Sequence, residues 1–120
     1  MIEEYNLGYI VIDGERYGHD VEVRWTNEVL PWPLKEQHLI DTGEISRAVG
    51  QNPEIIVIGT GKSGLAKVGK EAQDFIKEKG IELIIDRTEE AIKTFNVINE
   101  ASLEEEGIQK RVIGFFCLAY

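Results

Sequence analysis

Two short aliphatic runs restrict the folds open to this chain more than any other feature. Residues 54–58 read EIIVI and residues 81–85 read IELII, with little of the polar alternation of a half-exposed strand. Such runs are typical of strands that are covered on both faces. An amphipathic helical segment lies between them, and a strand–helix–strand unit crosses over with a right hand, which makes its two strands parallel. We therefore predict an α/β layered domain with helices over both faces of its sheet.

The N-terminal part of the chain predicts a second kind of strand pairing. Tyr9 to Ile12 is a short apolar run that ends at Asp13-Gly14, and Asp20 to Trp25 alternates strictly between polar and apolar residues. This alternation predicts an antiparallel pair with one face buried. Residues 14–18 exceed a two-residue turn, so we expect a wide loop between the two strands. A last strand from Arg111 to Leu118 completes a mixed sheet.

The helix boundaries are predicted from caps and breakers. A short helix is expected from Gly43 to Val49, with Asp41 or Thr42 as its cap. The second helix ends at Gly80, where a left-handed C-terminal residue belongs, and Thr88 is expected to cap the third. The apolar stripe of the third helix consists of Ala91, Ile92, Phe95 and Ile98.

Composition narrows the classes of protein to consider. The length of 120 residues and the 42% hydrophobic content fit one globular domain spanning residues 1–120. Acids outnumber bases 22 to 13, which disfavours nucleic acids and acidic membranes as partners. The N-terminus is acidic where a signal peptide is basic, so we expect a cytoplasmic protein. The single cysteine, Cys117, lies in an apolar stretch and is predicted to be buried.

The glycine-rich segment after the first aliphatic run, residues 59–64 (GTGKSG), is the main candidate for a functional loop. The P-loop pattern would require a glycine at position 56, which is Ile56. The dinucleotide pattern GxGxxG fits Gly59, Gly61 and Gly64, and Asp86 follows at the end of the next strand. By its letters alone the segment matches a nucleotide-binding loop.

Two physical arguments count against a dinucleotide site in this segment. Such a site lies between two strand–helix halves, and this chain has room for little more than one. A helix that began at Lys62 would contain Gly64 and Gly69, each at a cost of about 1 kcal/mol relative to alanine. The helix is therefore predicted to begin near Gly69, with residues 59–68 as a loop whose amides are not aimed along a helix axis at a pyrophosphate.

Short patterns between Val57 and Val97 carry a resemblance to a known family. They are the strand with Gly59-Thr60-Gly61, the helix closing at Lys79-Gly80-Ile81, and the spacing T-x-x-A-x-x-x-x-N of Thr88, Ala91 and Asn96. In these residues the chain resembles a family of small single-domain proteins that includes the adipogenesis-associated domain protein and a mitochondrial respiratory complex I assembly factor. The segment around Trp32 and His38 is similar more loosely.

The resemblance implies a three-layer α/β fold with a central mixed sheet and no established catalytic activity. It also bears on the loop, because the family has glycines that match Gly59 and Gly61 but neither a glycine matching Gly64 nor an acid matching Asp86. Residues 101–106 lengthen the connection to the last strand relative to the family, so the resemblance does not extend to a partner surface at that edge.

The candidate site combines the glycine-rich segment with elements expected beside it. Asn96 is the residue least explained by the apolar stripe of its helix, and it could bond to the backbone of residues 59–62 or face a small cleft. Prolines on both sides of Trp32 favour an extended path there. His19 and His38 lack further ligands at metal spacing, so we predict no metal site and no cofactor. The predicted site consists of Gly59, Thr60, Gly61, Lys62, Thr88, Asn96, Trp32 and His38.

Two functional hypotheses follow from this site. The leading one is a non-catalytic interaction or assembly protein, in which the pocket contacts a protein partner or a small ligand. The alternative is a nucleotide- or anion-binding protein or a small enzyme, in which Gly59 to Gly64 form an anion cradle and Lys62 neutralises the charge. The oligomeric state does not follow from the sequence.

Overall fold

The structure is a computed structural model that describes residues 1–34, 39–104 and 109–119. The prediction for His38, and the part of the 101–106 connection that follows Glu104, lie outside these residues. The helices are α1 (Thr42–Val49), α2 (Lys70–Glu78) and α3 (Thr88–Glu104). The strands are β1 (Ile2–Asn6), β2 (Tyr9–Ile12), β3 (Glu15–Tyr17), β4 (Val21–Arg24), β5 (Val29–Pro31), β6 (Leu39–Ile40), β7 (Ile55–Gly59), β8 (Lys67–Val68), β9 (Glu82–Asp86) and β10 (Val112–Phe116).

The central sheet has five strands in the order β5-β4-β10-β7-β9. Strand β7 is parallel to both β9 and β10, as the strand–helix–strand pattern predicts, whereas β4 is antiparallel to β5 and β10. Phe116 pairs with Gly59, and Gly59 pairs with Asp86. The carboxyl ends of three parallel strands therefore meet at one edge of the sheet, where ligands bind in many open α/β sheets.

The predicted boundaries of α1 and α2 agree with the structure. Helix α1 begins at Thr42, whose amide donates to the Asp41 carboxylate at 2.8 Å. Helix α2 begins at Lys70, directly after Gly69, and Gly80 takes the expected left-handed conformation with φ +75°. None of the helices in the described ranges is long and apolar enough to cross a membrane.

The N-terminal antiparallel pairing is confirmed, but the partner predicted for Tyr9–Ile12 is wrong. Strand β2 pairs with β1 and β3 in a separate three-stranded sheet, whereas Val21–Arg24 joins the central sheet. The expected wide loop is also wrong, because Asp13 (φ 49°) and Gly14 (φ 83°) close β2 and β3 as a two-residue hairpin turn. Positive φ at both central residues suits the right-handed twist of the flanking strands.

Two hydrophobic cores lie on opposite faces of the central sheet, and they give the three-layer arrangement. One face packs against α3 and the N-terminal sheet, with Phe95 of α3 and Phe116 of β10 at its centre. The other face packs against α1 and α2, with Ile45 and Ile76 both fully buried. Helices cover both faces, as predicted.

The polar face of β4 is covered as well, contrary to the prediction that only one face is buried. All four residues of the strand are buried, and Glu22 has no exposed surface. Its carboxylate accepts from Arg24 Nε at 2.7 Å and from Arg47 Nη2 of α1 at 2.9 Å. The strand tolerates this burial because both carboxylate oxygens are bonded to arginine, as buried charges require.

The second aliphatic run, predicted to be buried on both faces, instead forms the edge strand β9. Ile81 is buried, but Leu83 and Ile84 are only half-buried, and Ile85 is 40% exposed. In the part of the chain that the structure describes, β9 pairs with β7 alone. Its composition is that of an internal strand, whereas its position is at the edge.

Candidate functional site

Gly59 lets the start of α3 approach the end of β7 very closely. A Cβ atom at this position would lie 2.8 Å from both Cα and Oγ1 of Thr88, closer than real Cβ contacts. It would also meet the Phe116 ring at 3.2 Å. Glycine is therefore required here by packing, without any ligand.

The hydroxyl of Thr88 joins three segments at the carboxyl end of the sheet. It accepts from the amide of Gly61 at 2.8 Å and donates to the carbonyl of Cys117 at 2.7 Å. All three residues are buried. Thr88 is the first residue of α3 and not the residue before the helix, so the predicted helix cap is wrong. Its hydroxyl instead holds Gly61 against the end of β10.

We call residues 59–66 the glycine loop, and most of its inner polar groups are bonded within the protein. The amide and hydroxyl of Thr60 both donate to the carbonyl of Asp86, at 2.9 and 3.1 Å. The carbonyl of Thr60 accepts from Ala66, and the carbonyl of Gly61 accepts from Thr88. Amides committed in this way cannot converge on a phosphate, as they do in an anion cradle.

Asn96 bonds to the N-terminal strand and not to the glycine loop. Its Oδ1 accepts from the amide of Ile2 at 3.0 Å, and its Nδ2 donates to the carbonyl of Ile2 at 2.8 Å. The side-chain amide thus pairs with β1 much as a neighbouring strand would. This pair of hydrogen bonds explains a polar residue on the apolar side of α3. Of the two alternatives predicted for Asn96, the bond to residues 59–62 is not formed, and the residue lies beside a cleft.

A groove of about 440 Å³ runs between β1 and α3, and we call it the β1–α3 groove. Asn96 lies in its wall and Lys62 of the glycine loop at its rim, so two of the predicted site residues meet there. The lining residues are Ile2, Glu3, Glu4, Tyr5, Asn6, Lys62, Glu89, Ile92, Lys93 and Asn96. Three glutamates and two lysines give the groove both signs of charge.

Lys62 and Tyr5 are groove residues whose side-chain polar groups form no hydrogen bond with the residues that the structure describes. Lys62 is exposed and forms no ion pair with the residues that the structure describes. The buried Tyr5 hydroxyl has no hydrogen-bond partner within the described residues, although Thr88 is its neighbour. Burial raises the pKa of Tyr5, and the neighbouring Thr88 partly offsets this rise.

Trp32 lies away from the groove and does not join the other predicted site residues. It is 3% exposed, its ring stacks at 4.7 Å from that of Phe115, and its indole N–H donates to the carbonyl of Glu44 at 2.8 Å. It packs on the face that α1 and α2 cover, whereas Asn96 lies on the opposite side of the sheet. A second cavity of about 370 Å³ borders it, together with His19 and Asp20.

One wall of the groove was not predicted from the sequence. Strand β1 was not predicted, although its residues supply half of the lining. Asn96 was the available clue, because a polar side chain on an otherwise apolar stripe needs a buried partner. Within the described ranges, no group of three or more His, Cys, Asp and Glu side chains lies close enough to hold a metal ion.

Cys117 lies fully buried beside this site, and its thiol should be chemically inert. Burial raises the pKa of the Cys117 thiol to about 12, with a smaller contribution from Asp20. The thiolate is the reactive form, so native protein should react with iodoacetamide at pH 8 at least about a hundredfold more slowly than protein unfolded in urea. Mass spectrometry of timed samples measures both rates, and equal rates would contradict this assignment.

The fold and the glycine loop define the chain as a three-layer mixed α/β domain whose glycines serve packing and loop geometry. Gly61 and Gly64 adopt φ +103° and +69°, which other residues rarely do. The chain belongs to the family described as protein of unknown function DUF498/DUF598, whose model matches residues 2–116.

Several solved structures share the fold. A conserved hypothetical protein of Pyrococcus horikoshii OT3 is 22% identical, with 100% of this chain and 99% of that chain covered and a TM-score of 0.79. A protein designated MT938 is 21% identical, with 100% and 98% covered and a TM-score of 0.80. An Mth938-like domain protein of Bordetella pertussis is 21% identical, with 97% and 84% covered and a TM-score of 0.74. At these identities the likeness concerns the fold.

Proposed function

We propose that this protein is a non-catalytic interaction or assembly domain whose β1–α3 groove contacts a partner. The observation that carries the proposal is the internal bonding of the glycine loop. The amides of Thr60 and Gly61 and the hydroxyl of Thr88 are all bonded within the protein. The loop therefore has a structural task, and its exposed Lys62 lies at the rim of an open groove.

The charges of the groove favour a protein partner. Glu3, Glu4 and Glu89 repel a polyphosphate, while Lys62 and Lys93 offer positive charge within the same cleft. Mixed charges are typical of the polar rim of protein–protein contacts, where they set orientation and partner choice. The resemblance to a family that includes a respiratory complex assembly factor supports the same kind of role.

A second candidate function, anion binding, rests on Lys62. This ammonium group is unpaired within the described residues and lies next to the glycine loop, where a single phosphate or carboxylate could contact it. A lysine acts on such groups as a point charge. The same residue thus enters both hypotheses, and ligand identity separates them.

Thermal unfolding with added nucleotides distinguishes the two functions. We expect no change in the midpoint with millimolar NAD, NADP, ATP or FAD, because the amides of Thr60, Gly61 and Gly64 are already bonded within the protein. A ligand at a hundred times its Kd would stabilise the protein by about 2.7 kcal/mol, which such a scan detects easily.

Lys62→Ala is the matched variant for this experiment, since its side chain is exposed and its removal should leave the melting midpoint nearly unchanged. A nucleotide that raises the midpoint of the wild type but not that of Lys62→Ala would overturn the interaction proposal in favour of anion binding. Lys67→Ala, another exposed lysine outside the lining of the groove, controls for the loss of one positive charge.

A further inference from the structure

The outer edge of β9 presents unpaired backbone groups to solvent. Glu82 donates its amide to Glu54 beside β7, and the carbonyl of Asp86 accepts from Thr60. In a parallel ladder the backbone groups of successive residues point alternately to one side of the strand and to the other. The amides and carbonyls of residues 82, 84 and 86 therefore point to β7. Those of Leu83 and Ile85 consequently point outward, where no described strand pairs with them.

This edge is neither short nor interrupted by proline, and it carries charges only at its two ends. Proteins shorten such strands, insert proline or place charges along them to prevent further pairing. The opposite edge, β5, follows this rule with three residues and Pro31. Strand β9 has five residues, no proline, and three consecutive apolar side chains of which Ile85 is 40% exposed.

The charges at the two ends of β9 indicate which residues an added strand would carry. Glu82 and Asp86 are exposed, lie on the same face as Ile84, and form no ion pair with described residues. A strand added to this edge would place one residue opposite each of them. Basic residues at those two positions would neutralise both carboxylates, and apolar residues between them would cover the centre of β9.

A second copy of the chain fits this edge poorly. In a symmetric antiparallel pair centred on Ile84, Glu82 of one copy lies directly opposite Asp86 of the other, and like charges in this position are destabilising. Shifting the register by two residues puts Glu82 or Asp86 opposite Ile84. Each arrangement leaves a carboxylate without a countercharge.

We propose that the outer edge of β9 binds an extended peptide segment as an added strand, with a sequence of one basic, three apolar and one basic residue. The apolar residues pair with the centre of the strand, and the basic residues lie opposite Glu82 and Asp86. The site is separate from the β1–α3 groove, so its test and that of the groove fail independently.

Binding of a designed peptide tests this proposal. Fluorescein-labelled GSKVIVKSG is titrated with the whole protein in low salt and followed by fluorescence anisotropy, with GSEVIVESG as the acidic control. We expect saturable binding of the basic peptide and at least about tenfold weaker binding of the acidic one, because charge complementarity selects between strands of equal apolar content. Equal affinity for the two peptides, or no binding of the basic one, would overturn the proposal.

Two variants at one position separate backbone pairing from side-chain contact. Ile85→Pro removes an outward amide and leaves the ladder to β7 intact, since proline is tolerated on an edge strand when its nitrogen faces solvent. Ile85→Ala loses the same side chain but keeps the amide. We expect Ile85→Pro to bind at least about tenfold more weakly than Ile85→Ala, and equal binding of the two variants would contradict strand addition.

Readouts on other residues keep the proposal testable should Ile85→Pro fail to fold. Hydrogen exchange at the amides of Leu83 and Ile85 should slow when peptide is added to the wild type, while Ile84, already bonded to β7, should change little. Glu82→Lys, at an exposed position, should abolish the preference between the two peptides, because each peptide then meets one like and one opposite charge at residues 82 and 86. Unchanged exchange at Leu83 and Ile85 would overturn the proposal, and so would self-association of the wild type that slows exchange at these two amides without peptide.

Discussion

Glu22→Gln should lower the free energy of unfolding by about 3–5 kcal/mol, because it leaves the buried guanidinium of Arg24 without its counterion. Glu22 has no exposed surface, and the Arg24 side chain is only 8% exposed, so water cannot replace the lost charge. Arg24 also approaches Glu28 at 3.8 Å, but that carboxylate is 55% exposed and too distant to take over. Urea unfolding followed by circular dichroism measures the loss, which should lower the thermal midpoint by about 10–20 °C.

A double variant and a single control make this prediction specific to the buried charge. Glu22→Leu combined with Arg24→Leu removes both charges and should recover most of the stability, since apolar replacement of a whole buried ion pair is often neutral or favourable. Arg47→Met leaves Arg24 paired but removes the arginine partner of the buried Glu22 Oε1, so it should cost about 1–3 kcal/mol, less than Glu22→Gln. A Glu22→Gln protein as stable as the wild type would show that the carboxylate is not needed to balance Arg24.

The same cluster shows why alternation alone gave the wrong exposure for β4. The pattern of Val21, Glu22 and Val23 correctly predicted a strand whose valines face a core. It could not predict that α1, more than twenty residues further on, would bring Arg47 over the polar face. Local patterns report what a residue prefers, whereas coverage depends on which element the fold brings to it.

For strands β7 and β9, the sequence predicted the pairing correctly but not the burial of both strands. Both runs were predicted as strands and as parallel neighbours, and both predictions are confirmed because the glycine loop and α2 connect them directly. Their burial differs because β10 pairs on the far side of β7, and no described strand does so for β9. Leu83 and Ile84 pack partly against the two cores, so Ile85 is the apolar residue of β9 that the fold leaves unexplained, and a bound strand would account for it.

The β1–α3 groove could not be predicted from the sequence for a related reason. Lys62 and Asn96 were both singled out, but the strand that joins them into one cleft lies at the other end of the chain. Asn96 and Ile2 are 94 positions apart, and no local sequence pattern predicts the hydrogen bonds between them. Trp32 was placed in the same site on a looser resemblance, and the sheet in fact separates it from Asn96.

Thr88→Val should cost about 2–4 kcal/mol and release the glycine loop from its neighbours. Valine has nearly the shape of threonine, so the close approach of Gly59 is retained while the hydroxyl is lost. The amide of Gly61 and the carbonyl of Cys117 would then be buried without this partner, at a cost of about 1–3 kcal/mol each. Urea unfolding measures the total, and hydrogen exchange at Gly61 should accelerate because its amide is freed.

Thr88→Ser is the matched control, because it keeps the hydroxyl and deletes only a methyl group, which is worth about 1 kcal/mol. Adding Tyr5→Phe to Thr88→Val tests whether the nearby phenol, which has no partner within the described residues, takes over one of the released groups. A double variant less stable than the sum of the single effects would reveal such a replacement. Equal stability of Thr88→Val and Thr88→Ser would mean that the loop needs no hydroxyl to stay in place, and that the position of Lys62 at the groove rim has another cause.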